Sequence, residues 1–498
     1  MAAERLTRQV GLVALGRGAS TLSTMVVSTV LAWAWAHQQG QMGAYGAVWA
    51  LGNTLIPLFL LGFPTTFLYF YPQLGRPGRQ RLVLQAGLCL AASGLALGGL
   101  LWAAGPRLAF LLDYESGPGA GDLARYLGAF LPYAAFWVAG GLVEPALVAA
   151  GRSHWQAWTS LGVAAAQLGI GGLAAVLHWG VSEVLWAFSV LGGVRLAVGT
   201  ALVWRAVGWG EGGWTGAGVG AFLRYSLPVA LGDGVGSLAR AVDRMVVLWF
   251  FTTETFAFYH LGAVEVPVSI LLASATTVLI PQVSALYAQG RREQIAGLWS
   301  AAVARLALVV LPVFFFLFVL AGPLIGLIYP AQYGKSAWVM RVFLLALPLR
   351  CAIYNPLLVG MGKARWALWV GAGDLALNIG LSFALTRVLL TGWPAWAFLG
   401  PALATVLSTY IQVAVLVGLI AWNLRLGLRQ LLPWRHLSRV GLVCAGAAVA
   451  GWAATRLPVP PLVGLGLATG VFGVVLLWGS RPADRAVFAN LLRTQKNP

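Results

Sequence analysis

Four polar residues, Asp233, Ser237, Arg240 and Arg244, stand inside an otherwise apolar stretch. Their i, i+4, i+7, i+11 spacing puts them on one face of a helix. Each has a polar counterpart 216 residues earlier: Arg17, Thr21, Thr24 and Ser28. Two more arginines, Arg305 and Arg350, are embedded in apolar runs of their own. A guanidinium presents a fork of donors that matches the oxygens of a phosphate, and a cation held among apolar residues has to meet either a partner or water. The chemistry open to this set is the binding of an anion.

The elements that must position these residues are membrane helices. The chain has 498 residues, of which 59% are hydrophobic and only 9% charged, with a mean hydropathy of +0.82. A soluble domain carries about 25% charge. Leu82–Gly105 runs for 24 residues without a charge, enough to span the roughly 30 Å of a bilayer core. Apolar runs set against charged, Gly/Pro and Trp punctuation predict fourteen helices: 9–36, 43–71, 82–104, 123–150, 155–177, 183–204, 222–250, 256–287, 298–329, 336–361, 366–390, 395–422, 437–456 and 461–480. The first reads as a retained span and not as a cleaved leader.

Lysine and arginine then sort by loop. Twenty fall on the side of both termini and five on the other, the remaining seven lying within spans. The positive-inside bias therefore puts both termini in the cytoplasm. The net charge of +18 is mostly topological, and no nucleic-acid partner is expected. Cys89, Cys351 and Cys444 are scattered, as are the five histidines, so neither a disulfide framework nor a metal site is visible. No cofactor is expected either: the Gly-rich stretch Gly208–Gly220 lacks the G-x-x-x-x-G-K-[ST] pattern of a phosphate loop and reads as a flexible connection.

One turn occurs twice. "PALVAAGRSHWQAW" at Pro145–Trp158 and "PLLVGMGKARWALW" at Pro356–Trp369 align at an offset of 211 residues, with Gly151 on Gly362, Arg152 on Lys363, and Trp155 and Trp158 on Trp366 and Trp369. The copies follow the fourth and tenth predicted spans. A repeat of six spans returns the chain to its starting side, so the copies are parallel. The expected fold is an all-α polytopic membrane protein of two parallel six-helix lobes, 1–207 and 222–424, joined by a Gly-rich cytoplasmic linker over 208–221. Two extra helices and a cytoplasmic tail follow over 425–498.

Seven arginines lie within the predicted spans: Arg17, Arg195, Arg240, Arg244, Arg305, Arg341 and Arg350. An arginine at mid-bilayer costs from about 2.5 kcal/mol upward, and Arg195 and Arg350 sit near the middle of their spans, too far from an end to snorkel. Polar stripes in the first helix of each lobe imply a shared hydrophilic cavity on the pseudo-two-fold axis. Internal pairing with Glu144, Asp233, Asp243, Glu265 and Asp374 is the alternative. Nine prolines within spans permit kinks, and tryptophans at predicted ends, among them Trp33, Trp35, Trp204 and Trp434, read as interfacial anchors.

The stretches "VDRMVVLWFFTTETFAFY" (Val242–Tyr259), "IPQVSALYAQGRREQ" (Ile280–Gln294), "PLIGLIYPAQYGKSAWVMRVFLLALPLR" (Pro323–Arg350) and "LLVGMGKARWALWVGAGDLALNIGLSFAL" (Leu357–Leu385) resemble the multidrug/oligosaccharidyl-lipid/polysaccharide (MOP) exporter superfamily, and within it the Wzx-type polysaccharide biosynthesis flippases. The resemblance implies a transporter and not an enzyme. It would translocate an undecaprenyl-diphosphate-linked oligosaccharide across the cytoplasmic membrane by alternating access. The implied partners are that lipid-linked glycan, membrane lipid, a glycan polymerase and export machinery. Arg17 matches an arginine that recurs in the first helix of related lipid flippases, while Asp233 at the equivalent place in the second lobe departs from a symmetric anion clamp. The substrate-binding set on this reading is Arg17, Thr21, Thr24, Asp233, Ser237, Arg240, Arg244, Arg305 and Arg350, with Glu265 and Asp374 as candidates for ion coupling. A peptidoglycan lipid II flippase and a MATE-like drug or cation exporter are the alternatives. A membrane glycosyl-transferring enzyme would need a larger outer loop than Gly105–Asp122.

Overall fold

The computed structural model describes residues 2–112, 120–208, 219–263, 279–280 and 282–479. Among these there are helices and no strands. In chain order they are α1 (Ala2–Ala34), α2 (Gln39–Phe59), α3 (Phe63–Phe70), α4 (Arg76–Leu112), α5 (Ala120–Ala139), α6 (Val143–Ala149), α7 (Ser153–Val176), α8 (Val181–Val207), α9 (Val219–Ala239), α10 (Val242–Phe250) and α11 (Thr253–Gly262). They continue as α12 (Arg292–Ile328), α13 (Ser336–Leu344), α14 (Asn355–Gly360), α15 (Ala364–Gly392), α16 (Gly400–Leu424), α17 (Leu428–Leu431), α18 (Trp434–Ala454) and α19 (Pro461–Gly479). Contacts group the chain into two compact units, Met1–Ala257 and Phe258–Pro498.

Small residues let the helices of the first unit approach closely, as membrane helices without a hydrophobic driving force between them require. On α1, Gly16 faces Ser160 of α7, and Val27 faces Gly171; a Cβ on either glycine would lie 3.0–3.2 Å from the neighbour. Between these contacts Ser23 donates to Gln167 across 2.6 Å, buried. At Gly94 of α4 an added Cβ would fall 2.4 Å from the Ala135 carbonyl of α5. On α8, Ser189 inserts into the backbone ladder of α5 beside Pro132: the Tyr133 N–H donates to Ser189 Oγ at 3.2 Å, which donates to the Ala129 carbonyl at 2.8 Å. A side chain set into the i→i−4 ladder is a recognised way to bend a helix.

In the second unit α15 packs on α16, where Gly400 lies so near the Thr386 backbone that a Cβ would be 2.8 Å away. The C-terminal pair α18 and α19 packs on itself and on α12, with Phe316 edge-on to Phe472 and Leu320, Ala454 and Ala468 buried between them.

The duplicated motif is the same turn in both places. In each copy a short helix (α6 or α14) ends on a glycine with φ +73°, Gly151 or Gly362. The residue after it closes a six-residue bond, Arg152 N to Leu147 O and Lys363 N to Leu358 O, both 2.8 Å. The glycine itself bonds back three residues, to Val148 O and Val359 O at 3.0 and 2.9 Å. This pair of bonds with a left-handed glycine is the Schellman ending of a helix. The turn recurs at Gly290, φ +72°, and at Arg425, where a non-glycine residue takes φ +55° and Leu426 N bonds Ala421 O at 3.1 Å. A 3-10 segment precedes the short helix in both copies, Gly140–Leu142 before α6 and Leu347–Cys351 before α14.

The count of fourteen spans is not reproduced. Ten helices among the described residues are long and apolar enough to cross a membrane, or eleven if the bent pair Ala331–Leu344 and Leu347–Gly360, 44° apart, is one span. The expected first span yields the shorter apolar helix Gly18–Ala34. The expected seventh is divided into α9 and α10 at Arg240–Ala241, and half of the eighth, with Glu265 and Pro267, lies outside the described residues. Hydropathy registers a run of apolar residues but not whether the backbone stays helical through it. The linker residues 209–218 also lie outside the described residues. One expected anchor is buried instead: Trp35 is 5% exposed and donates through its indole N–H to the Trp179 carbonyl at 2.8 Å, whereas Trp33, Trp204 and Trp434 are exposed.

Candidate functional site

The polar stripe from Asp233 to Arg244 is divided by the backbone. Helix α9 stops at Ala239, and the Arg240 and Ala241 N–H groups bond back to Gly236 and Leu238 at 3.3 and 2.9 Å, before α10 begins. Asp233 and Arg240 are exposed and within electrostatic reach of each other. Ser237 points the other way: it is 3% exposed, with Oγ 3.2 and 3.3 Å from the Asn53 and Thr54 carbonyls of α2. Arg244 lies past the break on α10, half-buried, beside Asp243, which is 4% exposed. The single helical face of four polar residues therefore becomes an exposed pair, one packing contact and one residue on a different helix. That face exists only on an uninterrupted helix, and α9 ends at Ala239.

The stripe from Arg17 to Ser28 stays on one helix, α1. Thr21 and Thr24 are exposed on α1, while the buried Ser23 and Val27 face α7. Thr24 Oγ1 donates back to the Ser20 carbonyl at 3.0 Å. The backbone of Arg17 belongs to α1, and its side chain lies outside the described residues.

Arg305 is exposed in the first half of α12. Arg350 is not mid-helix: it occupies the 3-10 segment Leu347–Cys351 at the 44° bend, exposed. Pro348 is the physical reason, since proline disfavours the helical conformation of the residue before it and cannot donate to the ladder. Arg341, by contrast, is satisfied locally: its Nε donates to the Phe318 carbonyl at 3.2 Å and its guanidinium lies 4.9 Å from the Trp338 ring centroid.

Of the two coupling candidates, Asp374 is described. It sits half-buried on α15 beside Ser408 of α16, with Oδ1 buried and unpartnered. Nearby on the same pair, Asn378 accepts from Ser382 at 3.0 Å and meets Thr405 at 3.4 Å. No group of three His, Cys, Asp or Glu that could hold a metal is present among the described residues.

Sequence reasoning set Arg195 aside from the site, although its mid-span place was visible. Its guanidinium carbon lies 3.9 Å above the Trp137 ring, Nη1 is buried without a hydrogen-bond partner, and the side chain lines a cavity within the first unit together with Glu144.

Residues 159–338 match the family described as "Polysaccharide biosynthesis protein". No curated protein matches the chain. Among solved structures, an inward-facing multidrug resistance MATE family transporter of the MOP superfamily aligns with a TM-score of 0.67 at 13% identity, over 82% of this chain and 94% of that one. A MATE protein in complex with MaD3S gives 0.55 at 15% identity, over 84% and 96%. A MOP superfamily transporter from Pyrococcus furiosus, described as having a binding pocket of reversed polarity that suggests a different function, gives 0.55 at 14% identity over the same shares.

Proposed function

We propose a function for a chain that is a multi-pass membrane protein with the fold of the MOP-superfamily transporters and a polysaccharide-biosynthesis match in its middle: it is a flippase for an undecaprenyl-diphosphate-linked oligosaccharide, working by alternating access in the cytoplasmic membrane with both termini in the cytoplasm. The observation that carries this reading is the exposure of arginines where apolar helices break, Arg240 after α9 and Arg350 in its 3-10 segment. A cation at such a depth costs from about 2.5 kcal/mol, and a broken helix at membrane depth is tolerated where it lines water or protein. A diphosphate-sugar head supplies what an exposed guanidinium can bind bidentately, while the prenyl tail stays in hydrocarbon.

In this proposal Arg240, Arg244, Arg305 and Arg350, with Arg17, hold the diphosphate; Thr21, Thr24 and Asp233 contact the sugar. Ser237 fixes α9 against α2 and so positions Arg240. Asp374 is assigned to coupling. The six-helix repeat with its boundary at 208–221 belongs to the same proposal, as do a glycan polymerase and export machinery as partners.

The test is a leaflet-access assay on reconstituted protein with a fluorescent undecaprenyl-diphosphate oligosaccharide, comparing the wild type with Arg240→Ala, Arg350→Ala and Asp374→Asn. Slower transfer in both arginine variants supports the assignment. Equal rates throughout remove the site, and a wild type that moves no such lipid removes the function. Movement of lipid II instead, or drug efflux that follows a cation gradient and disappears in Asp374→Asn, would replace this reading with one of the alternatives.

A further inference from the structure

The first unit contains a cavity of about 560 Å³ bounded by residues of α1, α5, α6, α7 and α8. It starts near one set of helix ends, with Trp155 in the first turn of α7 and Leu202 in the last two turns of α8, and runs inward to Arg195. Its walls are largely apolar, and Trp158, Val194 and Val198 at its edge are exposed at 71%, 54% and 49%. In a membrane protein such an edge meets hydrocarbon.

Two opposite charges meet at its inner end. Arg195 lies over Trp137, and its Nη1 is pressed toward the Gly140 backbone, where a Cβ would come within 3.1 Å. That nitrogen has no acceptor, and a buried donor on a cation left without one calls for an explanation. Glu144 also lines the cavity and lies within electrostatic reach of Arg195. Together the walls carry one positive and one negative group, an aromatic rim, and the polar side chains Gln156 and Thr159. A bare polyanion would be repelled by Glu144, and a neutral hydrocarbon would leave Arg195 unmet.

We propose that this cavity is a binding site for a zwitterionic amphiphile of the phosphoethanolamine class: the phosphodiester takes Arg195, the ammonium takes Glu144 and the tryptophan faces, and the acyl chains leave past Val194 and Val198. The cavity becomes a lipid site of the first unit alone, apart from the exposed arginines assigned to the substrate, and it stands or falls independently of transport.

The experiment is native mass spectrometry of the purified full chain in maltoside detergent. It is titrated with phosphatidylethanolamine, phosphatidylglycerol, phosphatidylcholine and, as the head without its chains, free phosphoethanolamine. The wild type is expected to retain phosphatidylethanolamine in preference to the other two lipids, and to retain the free head poorly. Arg195→Gln should lower that adduct about tenfold, the size of a lost hydrogen bond to a charged group. Glu144→Gln should lower it similarly and raise the phosphatidylglycerol adduct, because the arginine is then free to take a net anion. Val198→Phe narrows the exit without touching either charge and should also displace the lipid; it decides the question should the charge variants fail to fold. Equal retention of all three lipids, binding of the free head as tight as that of the lipid, or a Glu144→Gln protein with unchanged preference overturns the proposal.

Discussion

The 3-10 segments at Gly140–Leu142 and Leu347–Cys351 are two versions of one device. Each interrupts an apolar helical run, is followed by a short helix of six or seven residues, and ends in a Schellman turn whose glycine has φ +73°. They differ in how charge is placed. At the first break the guanidinium arrives from another helix, as Arg195, and is held against Trp137 and Gly140 with Nη1 sealed from water. At the second break the guanidinium belongs to the segment itself, as Arg350, and is exposed. The repeat therefore preserves backbone geometry and not electrostatics. A shared turn is no warrant for a shared role: the open cation is the one assigned to the transported substrate, while the sheltered one braces the fold and borders the lipid cavity.

The largest expected effect tests the open side. Arg350→Ala should slow leaflet transfer of the lipid-linked oligosaccharide by about a hundredfold, roughly 3 kcal/mol for the loss of one charge-assisted contact, with the melting temperature unchanged and partial recovery in Arg350→Lys. A fall in melting temperature of the same order as the fall in rate would erase the distinction between the two breaks. On the sheltered side, Trp137→Leu should cost about 2 kcal/mol, since the ring is the face on which a desolvated guanidinium rests; denaturant unfolding in detergent measures it. A third, smaller effect examines what the breaks share. Gly151→Ala and Gly362→Ala should each cost about 1 kcal/mol by forcing a side chain into the left-handed region, and by equal amounts, because an added Cβ meets nothing within 4 Å at either site. Unequal costs would mean that the two turns are held differently.

Much of this was legible in the sequence for physical reasons that can be named. The all-helical membrane class followed from long uncharged runs, and the duplicated turn followed from Gly151 and Gly362, whose missing side chains permit the positive φ that ends each short helix. The breaks were harder. Pro348 and the Gly140–Gly141 pair are local signals that a helix can stop, yet both lie inside runs whose hydropathy reads as continuous. Arg350 was placed mid-span for that reason, and the four-residue stripe around Arg240 was counted along a helix that ends at Ala239. Ser237 and Trp35 show the other gap: which side of an element is buried depends on α2 and on the Trp179 carbonyl, partners that periodicity cannot supply. Arg195 needed both kinds of information, its depth in α8 and the aromatic ring waiting for it on α5.

Among the described residues, two of the turns that end a helix with a left-handed residue lack the glycine, at His178, φ +52°, where Trp179 N bonds Ala174 O at 3.0 Å, and at Arg425. Where Gly151, Gly290 and Gly362 occupy φ values of 72–73°, Arg425 is bent to 55° at the close of α16, a posture an L-residue with a long side chain adopts at a cost of about 1 kcal/mol. The molecule thus forgoes a gain that a single codon change would deliver: Arg425→Gly should raise the melting point slightly, and a protein engineer seeking a hardier preparation would start at that residue. What the molecule would surrender is one exposed positive charge.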